Sequence, residues 1–279
     1  MERPYYSQRT GKGVQPANLD LNDLKGYFTP FFQDFEREGY FQEYLGYECV
    51  DNGFVSGLAG SDLNMEMLVT LRKKHLWPIV ETLLTWTEDD FFDVVEFLYD
   101  RVSKPTERRF HDYNNCGWHC SEFDRTAGRV EYRARINRAL NAYDTGFELS
   151  EQGEVFALAD TGLEPLLTAE IPASAPDNVR VPMQTAIRKF RRHRASSDER
   201  LDAIRDLASA LEFIRPQVKT FFDKDEGDMF NLANNFAIRH NNGKQKEKYD
   251  TEIWYSWMFN YYLATLHATL RMVDNQTPA

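Results

Sequence analysis

The sequence predicts a mainly α protein: a helical N-terminal domain with a small β-hairpin, then a C-terminal antiparallel helical bundle. Three observations predict it. Apolar side chains return at helical spacing behind Thr87, across 129–143, 198–211 and 251–273. The period changes to strand-like around 147–158. Between the two helical parts, 161–181 collects Pro165, Pro172 and Pro176 among small residues and reads as a linker, giving domains 1–160 and 182–279.

Taken in order, 1–18 reads as an irregular arm rich in Gly, Pro, Arg and Gln, and 19–45 is dense in aromatics, with Pro30 expected to interrupt any helix there. Gly46, Gly53, Gly57 and Gly60 predict loop or short strand. Asp62 is a cap for a helix to about His75, and Trp77–Leu84 suggests a second. Thr87 is the best cap of this half. Its hydroxyl suits the amide of Asp90, and Glu88, Asp89 and Asp90 favour the positive helix start. Phe91, Val95, Leu98 and Val102 follow at helical spacing, with Pro105 as the stop. A helix over Arg129–Tyr143 would turn Val130, Ile136, Ala139, Leu140 and Tyr143 inward. Phe147–Leu149, a turn ending at Gly153, and Glu154–Leu158 form the hairpin.

In the C-terminal part, Asp198 opens a helix with Leu201, Ile204, Leu207, Ala208 and Leu211 on one face, kinked or ended by Pro216. Asp228 caps the next, with an apolar stripe of Met229, Leu232, Ala233, Phe236 and Ala237 and a polar stripe of Asn231, Asn235 and Arg239. A final helix from about Thr251 to Val273 packs through Ile253, Trp254, Trp257, Met258, Tyr261, Ala264, Ala268 and Leu270.

A chain of 279 residues that is 42% hydrophobic can bury a substantial core. It has no apolar run of transmembrane length and no secretory signal at Met1–Tyr6, so no membrane association is expected. Three cysteines fit a reducing compartment, which makes the expected location the cytoplasm. A net charge of −11 excludes nucleic-acid binding over the whole surface. Contact must be local, and the run Arg188, Lys189, Arg191, Arg192, His193, Arg194 is one place for it, or else a solvated helix end.

Two stretches carry candidate chemistry. Arg239-His240-Asn241-Asn242-Gly243-Lys244 sets a permanent cation beside a side chain that titrates near neutral pH. Neighbours on a continuous helix point about 100° apart, so the two meet on one phosphate only if the helix ends at Arg239 and Gly243 lets the chain turn back. His240 also continues the apolar stripe, which makes a packing role its plainer reading, and His267 lies too far along the final helix to serve Arg239. The second stretch holds His111, Cys116, His119 and Cys120, four metal-ligand types in ten residues. Paired cysteine spacings are missing and His119 and Cys120 are adjacent, so it reads as a packed turn around Gly117 with no metal or other cofactor.

Phe91–Glu154 (FFDVVEFLYDRVSKPT, HDYNNCGWHCSEFD, INRALNAYDTGFELSEQGE) resembles the N-terminal domain of abortive-infection proteins of the AbiJ type. Ile187–Val273 (DLASALEFIRP, FNLANNFAIRHNN, IWYSWMFNYYLATLHATLR) is similar to the helical domain that ends such proteins, a relative of HEPN domains. The resemblance implies a dimeric helical bundle in a phage-defence system, and many HEPN members are metal-independent endoribonucleases with an Arg-x4-6-His motif. Arg239 matches the motif's Arg. The window for its His holds Lys244, Gln245 and Lys246, with His240 adjacent to Arg239 instead. On this footing Arg239 and His240 are the catalytic candidates. Asn235, Asn241, Lys244, Arg188, Arg191 and Arg192 are the candidates for phosphate or RNA binding. The expected partners are RNA and a second copy of the chain; a noncatalytic dimerisation or sensing module is the alternative.

Overall fold

The computed structural model describes residues 5–9, 18–159, 162–222, 227 and 250–276. It is mainly helical, with small antiparallel hairpins, and divides into two compact units, Met1–Val155 and Phe156–Ala279. The division falls inside a strand, ahead of the segment read as a linker.

In the first unit, α1 (Tyr6–Arg9) precedes α2 (Leu21–Arg37), which Asp20 caps by accepting from the amides of Asn22 and Asp23. Contrary to the sequence expectation, α2 runs straight through Pro30. Proline inside a helix costs about 3 kcal/mol. Phe28, Phe31, Phe32 and Phe35 are all buried on this helix, and each contributes about 1.5–3 kcal/mol. Burial wins. Phe28 sits amid Phe31, Phe32, Trp86 and Phe91 with ring centroids 5.0–6.4 Å away. Lys25, also buried, gives its ammonium to the carbonyls of Leu84 and Trp86 at 3.2 and 2.6 Å.

After α3 (Gln42–Leu45) the glycine-rich stretch forms a hairpin, β1 (Tyr47–Cys49) and β2 (Gly53–Val55). α4 (Leu63–Leu71) is capped by Asp62 as expected, but stops before His75 because Arg72 turns left-handed (φ 59°). α5 (Ile79–Thr82) and a 3-10 turn over Leu83–Thr85 replace the helix read over 77–84. α6 (Glu88–Arg101) starts on the Thr87–Asp90 capping box, with the Asp90 amide 3.2 Å from the Thr87 hydroxyl.

Pro105 does not mark the end of α6. The helix ends at Arg101, with Val102 extended as its C-cap, and Pro105 lies in β3 (Lys104–His111), which pairs with β4 (Gly117–Asp124) in a long hairpin that the sequence reading missed. α7 (Arg125–Leu140) is capped by Asp124, and the hydroxyl of its fully buried Tyr132 reaches the Val95 carbonyl at 3.1 Å. Ile136, Ala139, Leu140 and Tyr143 are inward as expected, but Val130 is 56% exposed. Helix α7 passes so close to Ser103 and Lys104 that a Cβ on Gly128 would lie 2.7 Å from their backbone. The expected short hairpin is present as β5 (Phe147–Leu149) and β6 (Val155–Ala157), with Gly153 at φ 87°.

The second unit holds α8 (Glu164–Leu167), α9 (Asp177–Arg191), α10 (Ser197–Phe213), α11 (Arg215–Phe222) and α12 (Thr251–Gln276). α8 and the start of α9 therefore occupy the stretch read as a linker. Ser196, two residues before Asp198, caps α10 in a box with Glu199. Helices α9, α10 and α12 enclose Val179, Met183, Ile204, Leu207, Met258, Phe259, Leu263 and Leu266, and Phe190 stacks on Phe259 at 4.0 Å. The inward face of α12 matches the one read in the sequence in part: Met258 and Leu270 are buried, and Trp254 and Tyr261 pack against the core. Ile253 (66% exposed), Trp257 (43%) and Ala264 are exposed, whereas Tyr255, Phe259, Tyr262 and Leu266 are buried. The Asp228-capped helix and its stripes lie outside the described residues.

Candidate functional site

The catalytic candidates Arg239 and His240, with Asn235, Asn241 and Lys244, lie outside the described residues. The basic run is described and is not a uniform cationic strip. Arg188 is exposed in the last turn of α9. Arg191 is only 8% exposed, and its Nε and one terminal nitrogen donate to the Ala157 carbonyl at 3.3 and 3.0 Å. Its guanidinium also lies 5.2 Å from the centre of the Phe156 ring. Arg192 pairs with Glu199 at 2.9 Å and Lys189 with Asp206 at 2.7 Å. Much of the charge that suggested a phosphate grip is thus taken up within the unit. His267 is buried in α12. Burial, with Arg271 adding to it, lowers the imidazole pKa and keeps the ring neutral at pH 7.

The first unit assembles a different set. Cys49, His111, Cys116 and His119 bring one ligand atom each to a cluster in which all four atoms lie within 4.8 Å of one another. Cys49 ends β1, where the tight connection to β2 begins. On the long hairpin Arg109 faces His119 and His111 faces Gly117. That register places His111 and His119 as diagonal neighbours on one face, with ring centroids 5.0 Å apart. A 3-10 turn over Tyr113–Asn115 and Gly117 at φ 108° fold the hairpin end back, bringing Cys116 over the same face. Cys116 Sγ is 3.3 Å from His119 Nε2, and Cys49 Sγ is 4.0 Å from His111 Nδ1.

Outer contacts fix these donors. Asp51 Oδ2 lies 3.2 Å from His111 Nε2, which leaves Nδ1 facing the cluster. Asn52 Nδ2 donates to Cys49 Sγ at 3.6 Å. The backbone amide of Asp51 is the main cause that holds the Cys49 thiol below its ordinary pKa; the Asn52 backbone and side chain and Cys116 act the same way against burial. The His119 pKa is pushed down by burial first, then by His111 and Arg109, and its ring lies tilted against that of Tyr47 with centroids 4.6 Å apart. Burial, then the three cysteines, raises the Tyr47 hydroxyl.

This set differs from the four donors weighed in the sequence. Cys120 is replaced by Cys49. The Cys120 thiol instead packs against Gly39, where an added Cβ would approach it to 2.5 Å, and burial raises its pKa. The turn around Gly117 is present, but it aims donors at a common point, which revises the reading of it as packing alone. Two thiols and two imidazoles can hold a metal ion as neutral rings and thiolates. Cys49 was missed because it comes 62 residues before His111; the available hints were the Cys116-x2-His119 spacing and a cysteine at a glycine-bounded turn. No protein-family model, curated protein or solved structure matches the chain.

Proposed function

We propose that the chain is an abortive-infection-type phage-defence protein whose C-terminal, HEPN-like helical unit binds RNA and cuts it without a metal. The observation that carries this reading is organisational. The described residues of the part that resembles the HEPN-like domain fall within the second, helical unit, and the Arg239–Lys244 stretch comes shortly before its longest described helix, α12, in the sequence. Arg239 would hold the scissile phosphate and stabilise its added negative charge. His240 would act as base on the ribose 2′-hydroxyl or as acid on the leaving 5′-oxygen. Asn235, Asn241 and Lys244 would orient the phosphate. Of the basic run, the exposed Arg188 and Arg192 are best placed for backbone grip, since Arg191 is buried on the Ala157 carbonyl.

The test is incubation of the purified full chain with mixed RNA, with and without a chelator. The proposal expects products in both conditions, and their loss in Arg239→Ala and His240→Ala. Identical absence of products from wild type and both variants ends the nuclease reading.

A second reading, a noncatalytic dimerisation or sensing module, is favoured by the internal pairing of the basic run and by Ile253 and Trp257 exposed on α12. It expects a dimer in sedimentation that Ile253→Glu with Trp257→Glu converts to monomer, and no RNA products.

A further inference from the structure

We propose that Cys49, His111, Cys116 and His119 bind one zinc ion in a closed tetrahedral site that fastens the β1–β2 hairpin to the β3–β4 hairpin. The site belongs to the first unit and stands independently of the RNA reading.

Geometry leads. Zinc bonds of about 2.0 Å to imidazole nitrogen and about 2.3 Å to thiolate put tetrahedral donors roughly 3.3–3.8 Å apart. The Cys116–His119 pair is at 3.3 Å and the Cys49–His111 pair at 4.0 Å, so small side-chain movements close the set around an ion. A chance cluster rarely draws donors from elements so distant in the chain and then aims them with outer contacts. Asp51 on the far nitrogen of His111 is the carboxylate–histidine arrangement that fixes tautomer and ring orientation in metal sites. Asn52, from the same turn, donates to the Cys49 sulfur, as groups around a metal thiolate do.

Donor chemistry selects the ion. Two sulfurs and two imidazoles suit zinc over hard cations such as magnesium or calcium, which take oxygen. Four protein ligands fill the tetrahedron, so the role is structural. The two thiols lose their protons to solvent as the two zinc–sulfur bonds form, and the imidazoles bind neutral through their lone pairs. The resulting centre, one dication and two thiolates, has no net charge. The Cys120 thiol, one residue from His119, lies against Gly39 and takes no part.

The test uses the full chain, produced with zinc supplied and purified with a reductant but no chelator. Metal analysis should give one zinc per chain for wild type and for Cys120→Ser, and a loss of at least tenfold for Cys49→Ser and His119→Ala. Because those two variants can fail to fold, a second measurement uses wild type alone. Its zinc is removed and cobalt(II) titrated in. The visible spectrum should show intense tetrahedral ligand-field bands and sulfur-to-cobalt charge transfer, saturating at one equivalent, and zinc should bleach both. Zinc-free wild type with no such cobalt spectrum overturns the proposal. So does loss of zinc in Cys120→Ser to the same degree as in Cys49→Ser, or an intact mass showing a Cys49–Cys116 disulfide under reducing purification.

Discussion

Glu96 shows how one side chain carries both a bond and a burden. It accepts the Val155 amide at 2.7 Å, yet burial, then Asp93, Glu154 and Asp100, raises its pKa above the ordinary 4.5. A carboxyl raised on folding supports stability below its unfolded pKa and withdraws that support as pH rises through the folded value. Glu96→Gln keeps an acceptor for Val155 without the charge. It should melt higher than wild type at pH 7, by on the order of 0.5–1 kcal/mol, and the gap should close below pH 4.5. Glu66 has the opposite sign. The Tyr44 hydroxyl at 2.8 Å, with Arg101 and Thr70, lowers its pKa. Its contribution is therefore complete above 4.5 and is lost as pH falls through the lowered folded value. Thermal melts of Tyr44→Phe against wild type should differ at pH 7 and converge in acid; a pH-independent difference would remove the ionic account.

At the scale of elements, close approach decides which local rules hold. Alanine normally stabilises a helix interior over glycine by about 1 kcal/mol. Gly128→Ala should reverse that sign and cost about 1–3 kcal/mol, because the new methyl meets the Ser103–Lys104 backbone at 2.7 Å. Pro30 is exposed on α2, so Pro30→Ala should stabilise by about 1–3 kcal/mol; chemical denaturation measures both. The same contrast explains what could be read in advance. Thr87, Asp62, Gly153 and the period behind Phe91 are local signals, and each was legible. The helix through Pro30 was not, because aromatic packing outweighs the missing amide. The β3–β4 hairpin was hidden because its strands bury no residue fully and lack an apolar alternation. Ile253 and Trp257 were placed inward by a helical stripe that is broad enough to fit two faces.

For the whole molecule, a −11 charge argues that any RNA contact would be confined, and burial takes Arg191 out of the candidates for one. The mainly helical class was legible from periodicity, and no described helix is long and apolar enough to cross a membrane. The donor cluster was legible only in part. Three of its four residues stood together in the sequence, whereas Cys49 joins them through folding. Isolated two-stranded sheets are marginally stable in water, so a metal shared by two of them makes both depend on it. Hydrogen exchange on the full chain, zinc-loaded against zinc-depleted, tests that dependence most directly. Depletion should strip amide protection from 47–55 and 104–124 while leaving 177–222 and 251–276 unchanged. Equal protection of both hairpins with and without the ion would contradict it.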